Sequence, residues 1–343
     1  MAAAPASSTT TSDEAPEPTG GRKRGERSGL GALIIERYTG VIVWLGIIVL
    51  FGIIEPSLFL TSTTVRSLLS QQAITAIMAM ALLLPLAAGV FDLSVASMMG
   101  LSIMLVAWLQ VNEGVGFVLA ILITLGAGLV VGVFNAIVVV GLRVDSFIAT
   151  LASSSVLIGF VDWISNSNQI ILPGNSGFLD ISGQQLFTIS LPVFYMLILA
   201  AVLWYVLEYR QVGRYMYATG SNPDAARLAG VRTNRLRVIS LLVSAVIASA
   251  AGILYASSIG TASPDSSASY LLPAFAGALL GATQIKPGRV NVPGTLLAVY
   301  LLATGVYGLE LDGAAIWVQS VFNGAALIIA VAFSVRAAMR RTG

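Results

Sequence analysis

The sequence predicts an all-α integral membrane protein: a polytopic bundle of about ten transmembrane helices, a short pair of them broken or re-entrant, with both termini cytoplasmic. Three observations predict it. Mean hydropathy is +0.89. Hydrophobic residues make up 57% of the 343 and charged residues only 10%, against roughly 25% charged in an average soluble domain. The few basic residues also sort by position, as the loops below make clear.

Residues 1–35 begin the chain with MAAAPASSTTTSDEAPEPTGG, rich in Ala, Ser, Thr, Pro and Gly and without periodicity. They read as a disordered cytoplasmic tail. No small-residue cleavage site precedes the first apolar run near residue 40, so a secretory leader is not expected. Residues 36–343 are read as one membrane domain.

A helix needs about 20 apolar residues to cross about 30 Å of hydrocarbon. Ten runs qualify as candidates: 40–56, 72–90, 93–110, 115–141, 147–164, 187–208, 238–258, 271–284, 292–307 and 316–335. The eighth and ninth are short, the pattern of broken or re-entrant helices. The run 115–141 is long enough to tilt.

Let the N-terminus lie inside and every run cross. Then 17 of the 18 basic residues fall on the inner side, and Arg66 alone falls outside among Glu113, Asp180, Asp265, Glu310 and Asp312. Inner loops of membrane proteins carry such an excess. Dropping one span would scramble this parity for half the chain, so an even count is expected. Small residues four apart, Gly128 with Gly132, Ala248 with Gly252 and Gly277 with Gly281, predict close helix contacts.

The chain has no Cys and no His. That excludes disulfides, thiol nucleophiles, Cys/His metal sites and imidazole acid–base chemistry. The pI near 9.0 does not indicate nucleic acid, because the basic residues flank apolar runs. No Gly-x-x-x-x-Gly-Lys-Ser/Thr occurs, and the only lysines are Lys23 and Lys286. A phosphate-cradling loop is therefore absent, and no catalytic residue, metal or cofactor is assigned to this chain.

The inner loop 209–237 holds Arg210, Arg214, Arg227, Arg232, Arg235 and Arg237. Within it, residues 222–230 predict a two-turn helix. Asn222 suits the N-cap, Pro223 the first helical position, Asp224 the positive end of the dipole and Gly230 the left-handed stop. So short a helix is unstable alone, so it must pack on the bundle or on another protein.

Polar residues within the apolar runs are candidates for a solute path. Asp92 is the sharpest, because a carboxylate near the membrane is costly and often functional. The other reading has Asp92 or Ser94 capping the helix that follows. Asn135 suits either a solute hydroxyl or an interhelical hydrogen bond. Thr150 and Ser153 to Ser155 form a polar face, and Gln71, Gln72, Gln319 and Asn323 stand near span ends. Trp163, Tyr195, Trp204, Tyr205 and Trp317 read as interfacial anchors.

Four separated stretches carry a family likeness. The segment GRYMYATGSNPDAARLAGVRTNR (213–235) resembles the coupling loop of ABC importer permeases of the ribose/xylose/arabinose type. AGVFDLSVASMMGL (88–101), GVFNAIVVVGLRVDSFIATL (132–151) and LLPAFAGALLGATQIKPGRVNVPGTLLAV (271–299) with FNGAALIIAV (322–331) resemble the same family. Ala88 and Ala96 depart from its usual Gly, and Asp145 from a frequent Pro.

The resemblance implies a cytoplasmic ABC ATPase that uses the ATP, an extracytoplasmic sugar-binding protein and a second permease copy as partners. It assigns ATPase coupling to Gly220, Asn222, Asp224, Ala225, Ala226, Arg227 and Gly230. The translocation path is read as Asp92, Ser94, Asn135, Thr150 and Asn323. The competing class is an ion-gradient-driven secondary transporter of small polar solutes, for which Asp92 alone would serve and the loop 213–235 would have no role. A membrane enzyme lacks the acid–base groups.

Overall fold

The computed structural model describes residues 30–174, 177–315 and 317–342; residues 1–29 of the expected tail lie outside them. In chain order the helices are α1 (Leu30–Ile54), α2 (Ser62–Ala87), α3 (Val95–Val111), α4 (Phe117–Ala136), α5 (Ser146–Ser165), α6 (Gly177–Gly183) and α7 (Leu191–Tyr209). They continue with α8 (Gln211–Ser221), α9 (Pro223–Leu228), α10 (Thr233–Ile259), α11 (Leu271–Gly281), α12 (Val292–Leu311) and α13 (Trp317–Thr342). Four two-residue strands form two antiparallel pairs, Ile170–Ile171 with Thr261–Ala262 and Gln185–Leu186 with Ile189–Ser190.

Among the described residues each of the ten expected runs holds a helix, although 187–208 opens with the strand Ile189–Ser190 before α7 begins. Among the described residues six helices are long and apolar enough to cross a membrane: α2, α4 with its π-helical continuation to Gly141, α5, α7, α10 and α12. Helices α1, α3, α11 and α13 supply shorter apolar segments. Several boundaries differ from expectation, among them the start of α1 at Leu30 rather than 40. Helix α2 starts at Ser62 rather than 72, because Thr61 caps it by accepting from the Thr64 amide at 3.2 Å. Arg66 therefore lies on a helix and not in a loop. Of the pair expected to be short, α12 reaches 20 residues whereas α11 has 11, about 16 Å of rise.

Helix α10 is the centre, packed by α2, α3 and α4. Small residues make that possible. A Cβ on Gly128 would lie 2.8 Å from the Cβ of Ser249, and one on Gly132 2.9 Å from the Cα of Leu242. On α10 itself, a Cβ on Gly252 would lie 2.5 Å from the Met99 carbonyl oxygen of α3. Hydrogen bonds join the same three helices: Ser102 Oγ donates to Ser249 Oγ at 2.9 Å, and Ser249 Oγ to the Thr124 carbonyl at 3.0 Å. Gly281 of α11 meets the α12 backbone at Thr295 in the same way, 2.5 Å from a hypothetical Cβ.

Helix direction alternates between two ends. At one end lie α8 and α9, the α2–α3 turn, the end of α4, the starts of α5 and α10 and the α11–α12 loop, joined by Asn135 to Ser94, Thr150 to Leu93 and Glu208 to Arg289. At the other lie the paired strands at 170–171 and 261–262 and the start of α11. The α11–α12 loop is stitched by Asn291, whose Oδ1 caps α12 at Gly294 while its Nδ2 donates to three carbonyls, Gly281, Gln284 and Arg289, each at 3.1 Å.

Adding a methyl at one of these close contacts tests this packing. Overpacking costs about 1–3 kcal/mol. Gly252→Ala should lower the melting temperature of the detergent-solubilised protein by several degrees. Gly46→Ala, where nothing lies within 4 Å of the new carbon, should leave it unchanged.

Candidate functional site

The loop between α7 and α10 folds as two short helices that break at Asn222, whose backbone is extended. Asn222 ends α8 and caps α9, its Oδ1 accepting from the Ala225 amide at 2.9 Å. Gly230 closes the unit at φ +83°, a conformation that favours glycine. The unit is seated on the bundle by two of the expected coupling residues. Ala226 is only 6% exposed. Gly220 packs on the α2–α3 turn, and a Cβ on Gly89 would lie 3.0 Å from the Gly220 Cα.

The opposite face of α9 points away from the bundle. Asp224, Ala225, Arg227 and Ala229 are exposed. Leu228, which the sequence reading passed over, is 91% exposed. Its signal was there: a large apolar side chain in an otherwise small and polar two-turn helix. Asp224 and Arg227 approach to 3.5 Å on open surface, a pair worth little by itself, so both remain available to a partner.

A second contact at this end was also missed. Glu208, at the end of α7, accepts from Lys286 Nζ at 2.5 Å and from Arg289 Nη2 at 2.8 Å. The Arg289 guanidinium lies 4.7 Å from the centre of the Tyr217 ring on α8. The Tyr217 hydroxyl donates to the Val290 carbonyl at 2.8 Å. Burial pushes that phenol up to about 12, with Arg289 opposing the shift, so it stays a neutral donor. The network ties the α7–α8 corner to the α11–α12 loop. An acid at the end of one apolar run and two basic residues in another inner loop were the signal.

Of the five expected path residues, four meet in one buried cluster. Asp92, Ser94 and Asn135 are each 1% exposed and Thr150 is fully buried. Asp92 Oδ1 accepts from the Ser94 amide at 3.1 Å and from Ser94 Oγ at 2.6 Å. Asn135 Nδ2 donates to the same Ser94 Oγ at 2.8 Å. Thr150 Oγ1 accepts from the Leu93 amide at 3.0 Å, and Ser146 Oγ from the Phe91 amide at 3.1 Å. Ser94 thus sits at the N-cap of α3 without capping it through its side chain, because its hydroxyl is committed to Asp92. Side chains of α4 and α5 hold the α2–α3 turn. Asp92 Oδ2, Asn135 Oδ1 and Ser244 Oγ have no partner among the described residues.

Asn323 lies apart. With Gln71, Gln72 and Gln319 it lines a cavity of about 300 Å³ between α2, α10, α11, α12 and α13. The lining combines amides, hydroxyls and apolar groups and contains no Asp, Glu, Lys or Arg.

A family model described as branched-chain amino acid transport system / permease component matches residues 64–331. The ribose import permease protein of Escherichia coli (strain K12) is 30% identical over 299 residues, covering 85% of this chain and 91% of its own length. The ribose import permease protein of Bacillus subtilis (strain 168) is 32% identical over 286 residues, covering 83% and 88%. The fructose import permease protein of Rhizobium meliloti is 29% identical over 294 residues, covering 83% and 81%. No solved structure matches the chain.

Because Asp92 and Asn135 act on one hydroxyl, their effects should couple. Asp92→Ala and Asn135→Ala should each cost about 1–3 kcal/mol by stranding a buried partner. The double variant should fall short of the sum by about 0.5–3 kcal/mol. Thermal melting of the four proteins in one detergent reads this directly; strict additivity would contradict the shared hydroxyl.

Proposed function

The chain belongs to the branched-chain amino acid transport system / permease component family, and from that premise we propose that it is the permease subunit of an ATP-driven ABC importer. It forms the translocation path for a monosaccharide or related polyol delivered by an extracytoplasmic binding protein. The family description names amino acids, whereas the relatives are named for ribose and fructose. Sequence identity over most of the chain supports the sugar reading, and so does a cavity lined by uncharged groups alone.

The observation that carries the proposal is α9: a capped, two-turn helix seated on the bundle through Ala226 that turns Asp224, Arg227 and Leu228 outward. A cytoplasmic ABC ATPase is the partner proposed for that face, and ATP is used there and not in this chain. Asn222 and Gly230 shape the helix, Gly220 and Ala226 hold it to the bundle, and Asp224, Ala225, Arg227 and Leu228 meet the ATPase. Glu208, Lys286 and Arg289 then pass its movement to α11 and α12.

The protein is placed by this reading in the bacterial cytoplasmic membrane, with about ten transmembrane helices, some of them broken, a cytoplasmic tail and C-terminus, and the α8–α9 end inside. The alternation of helix direction and the basic inner loops support that topology. A second copy of the chain completes the path. Asp92, Ser94, Asn135 and Thr150 hold its cytoplasmic end together, and Asn323 meets the solute at the other.

Leu228→Asp tests the docking face. Central apolar anchors are worth about 2 kcal/mol or more, so co-purification of the ATPase should weaken about 30-fold. The melting temperature of the isolated chain should not change, since Leu228 touches almost nothing. Uptake by the intact complex should survive an ionophore and stop when the ATPase cannot hydrolyse ATP. The reverse pair of results would point to a gradient-driven carrier.

A further inference from the structure

The cavity carries more than a place on a path. Four of its polar side chains stand in two pairs at a spacing of one turn, Gln71 and Thr75 on α2 and Gln319 and Asn323 on α13, while Tyr255 and Ser258 of α10 and Ser269 and Tyr270 before α11 add hydroxyls. In each pair the first residue is exposed and the second buried, Thr75 at 6% and Asn323 at 7% exposure. Two polar ladders therefore run from the mouth to the floor. The opposite wall is an apolar stripe of α12, Val299, Leu302, Ala303 and Val306, four residues that share one helical face.

None of the side-chain amides of Gln71, Gln72, Gln319 and Asn323 is engaged in a hydrogen bond among the described residues. Elsewhere Asn291 commits its amide to four hydrogen bonds, and Asn135 commits its Nδ2 to Ser94. Asn323 is 7% exposed and lines the cavity with its amide uncommitted, so its donors and acceptor are left for a partner that arrives from outside. One wall offers paired donors and acceptors, and the other offers carbon. A sugar ring presents hydroxyls at its edge and C–H groups on its faces, and so matches both. A zwitterion would find no counter-charge on any lining side chain, and burying an unpaired charge is far more costly than burying a hydroxyl.

We propose that this cavity is a low-affinity binding site for one uncharged polyhydroxylated ring of monosaccharide size, contacted by Gln71, Thr75, Gln319 and Asn323 and resting on the α12 stripe. The site would make the permease itself a filter against charged solutes. A volume of about 300 Å³ lies at the small end of ligand cavities and holds one ring. The proposal rests on the permease reading and deepens it.

The test is thermal melting of the purified full-length chain, together with whatever ATPase accompanies it, titrated with D-ribose, D-xylose, D-fructose, D-allose and, as the zwitterion, L-leucine. At least one sugar should raise the melting temperature with a half-saturating concentration in the millimolar range, and L-leucine should not. Gln319→Met with Asn323→Leu keeps the volume and removes the amides. That variant should melt no lower than wild type without sugar, and its half-saturating concentration should rise at least tenfold. The proposal is for a chemical class, so silence from the whole panel overturns it, as does a sugar response that survives the double variant or a leucine response of equal size. An ATPase that co-purifies in the absence of any sugar response would leave the permease reading standing and remove only the site. Loss of both would remove the reading itself.

Discussion

How closely α3 and α4 approach α10 is the constraint on which the rest of this structure depends. In lipid, burying apolar surface between helices gains little, because the surrounding chains are equally apolar. Association must come from dispersion at short range and from hydrogen bonds across helices. Gly128, Gly132 and Gly252 remove the side chains that would hold the axes apart. At that distance Ser249 reaches both Ser102 on α3 and the carbonyl of Thr124 on α4. Geometry and hydrogen bonding thus enforce each other, and a larger residue at any of the three glycines would forfeit both.

From this hub the two ends of the bundle are built differently. At the α8–α9 end the α2–α3 turn is held by hydrogen bonds from Ser94, Thr150, Asn135 and Ser146, and the α7–α8 corner by Glu208, Arg289 and Tyr217. Hydrogen bonds between helices restrain such a region, which suits the coupling role proposed for this end. At the cavity end the amides are left uncommitted. Helices α2 and α12 run between the two, each with one end in the bonded network and the other in the cavity wall. Under the proposed function, these two helices would link the α9 end to the cavity.

The candidate site was legible in the sequence where local rules decide it. The cap at Asn222, the helix after it and the left-handed Gly230 follow from φ/ψ preferences and backbone hydrogen bonding, which need no distant partner. The same holds for the small residues four apart, of which Gly128, Gly132, Gly252, Gly277 and Gly281 proved to face a neighbouring helix. What local rules could not supply was direction. Helices this apolar show no polar stripe, so their pattern does not say which face is inside. Asp92, Asn135 and Asn323 looked alike as isolated polar residues in apolar runs; the fold binds the first two into a knot and leaves the third facing a cavity.

By itself the sequence determined that this chain lives in lipid, where its ten apolar runs lie, that it carries no nucleotide-binding loop, and that a short capped helix interrupts its basic loop. These are properties of composition, of spacing and of bonds between near neighbours. Only the tertiary structure decided which polar groups find each other, that Glu208 answers Lys286 and Arg289 across the chain, that Leu228 stands free while Ala226 beside it is buried, and that five helices leave a cavity between them. The reason is that membrane helices recognise one another through the shape of small contacts and a few long-range hydrogen bonds, and neither has a period that a linear sequence displays.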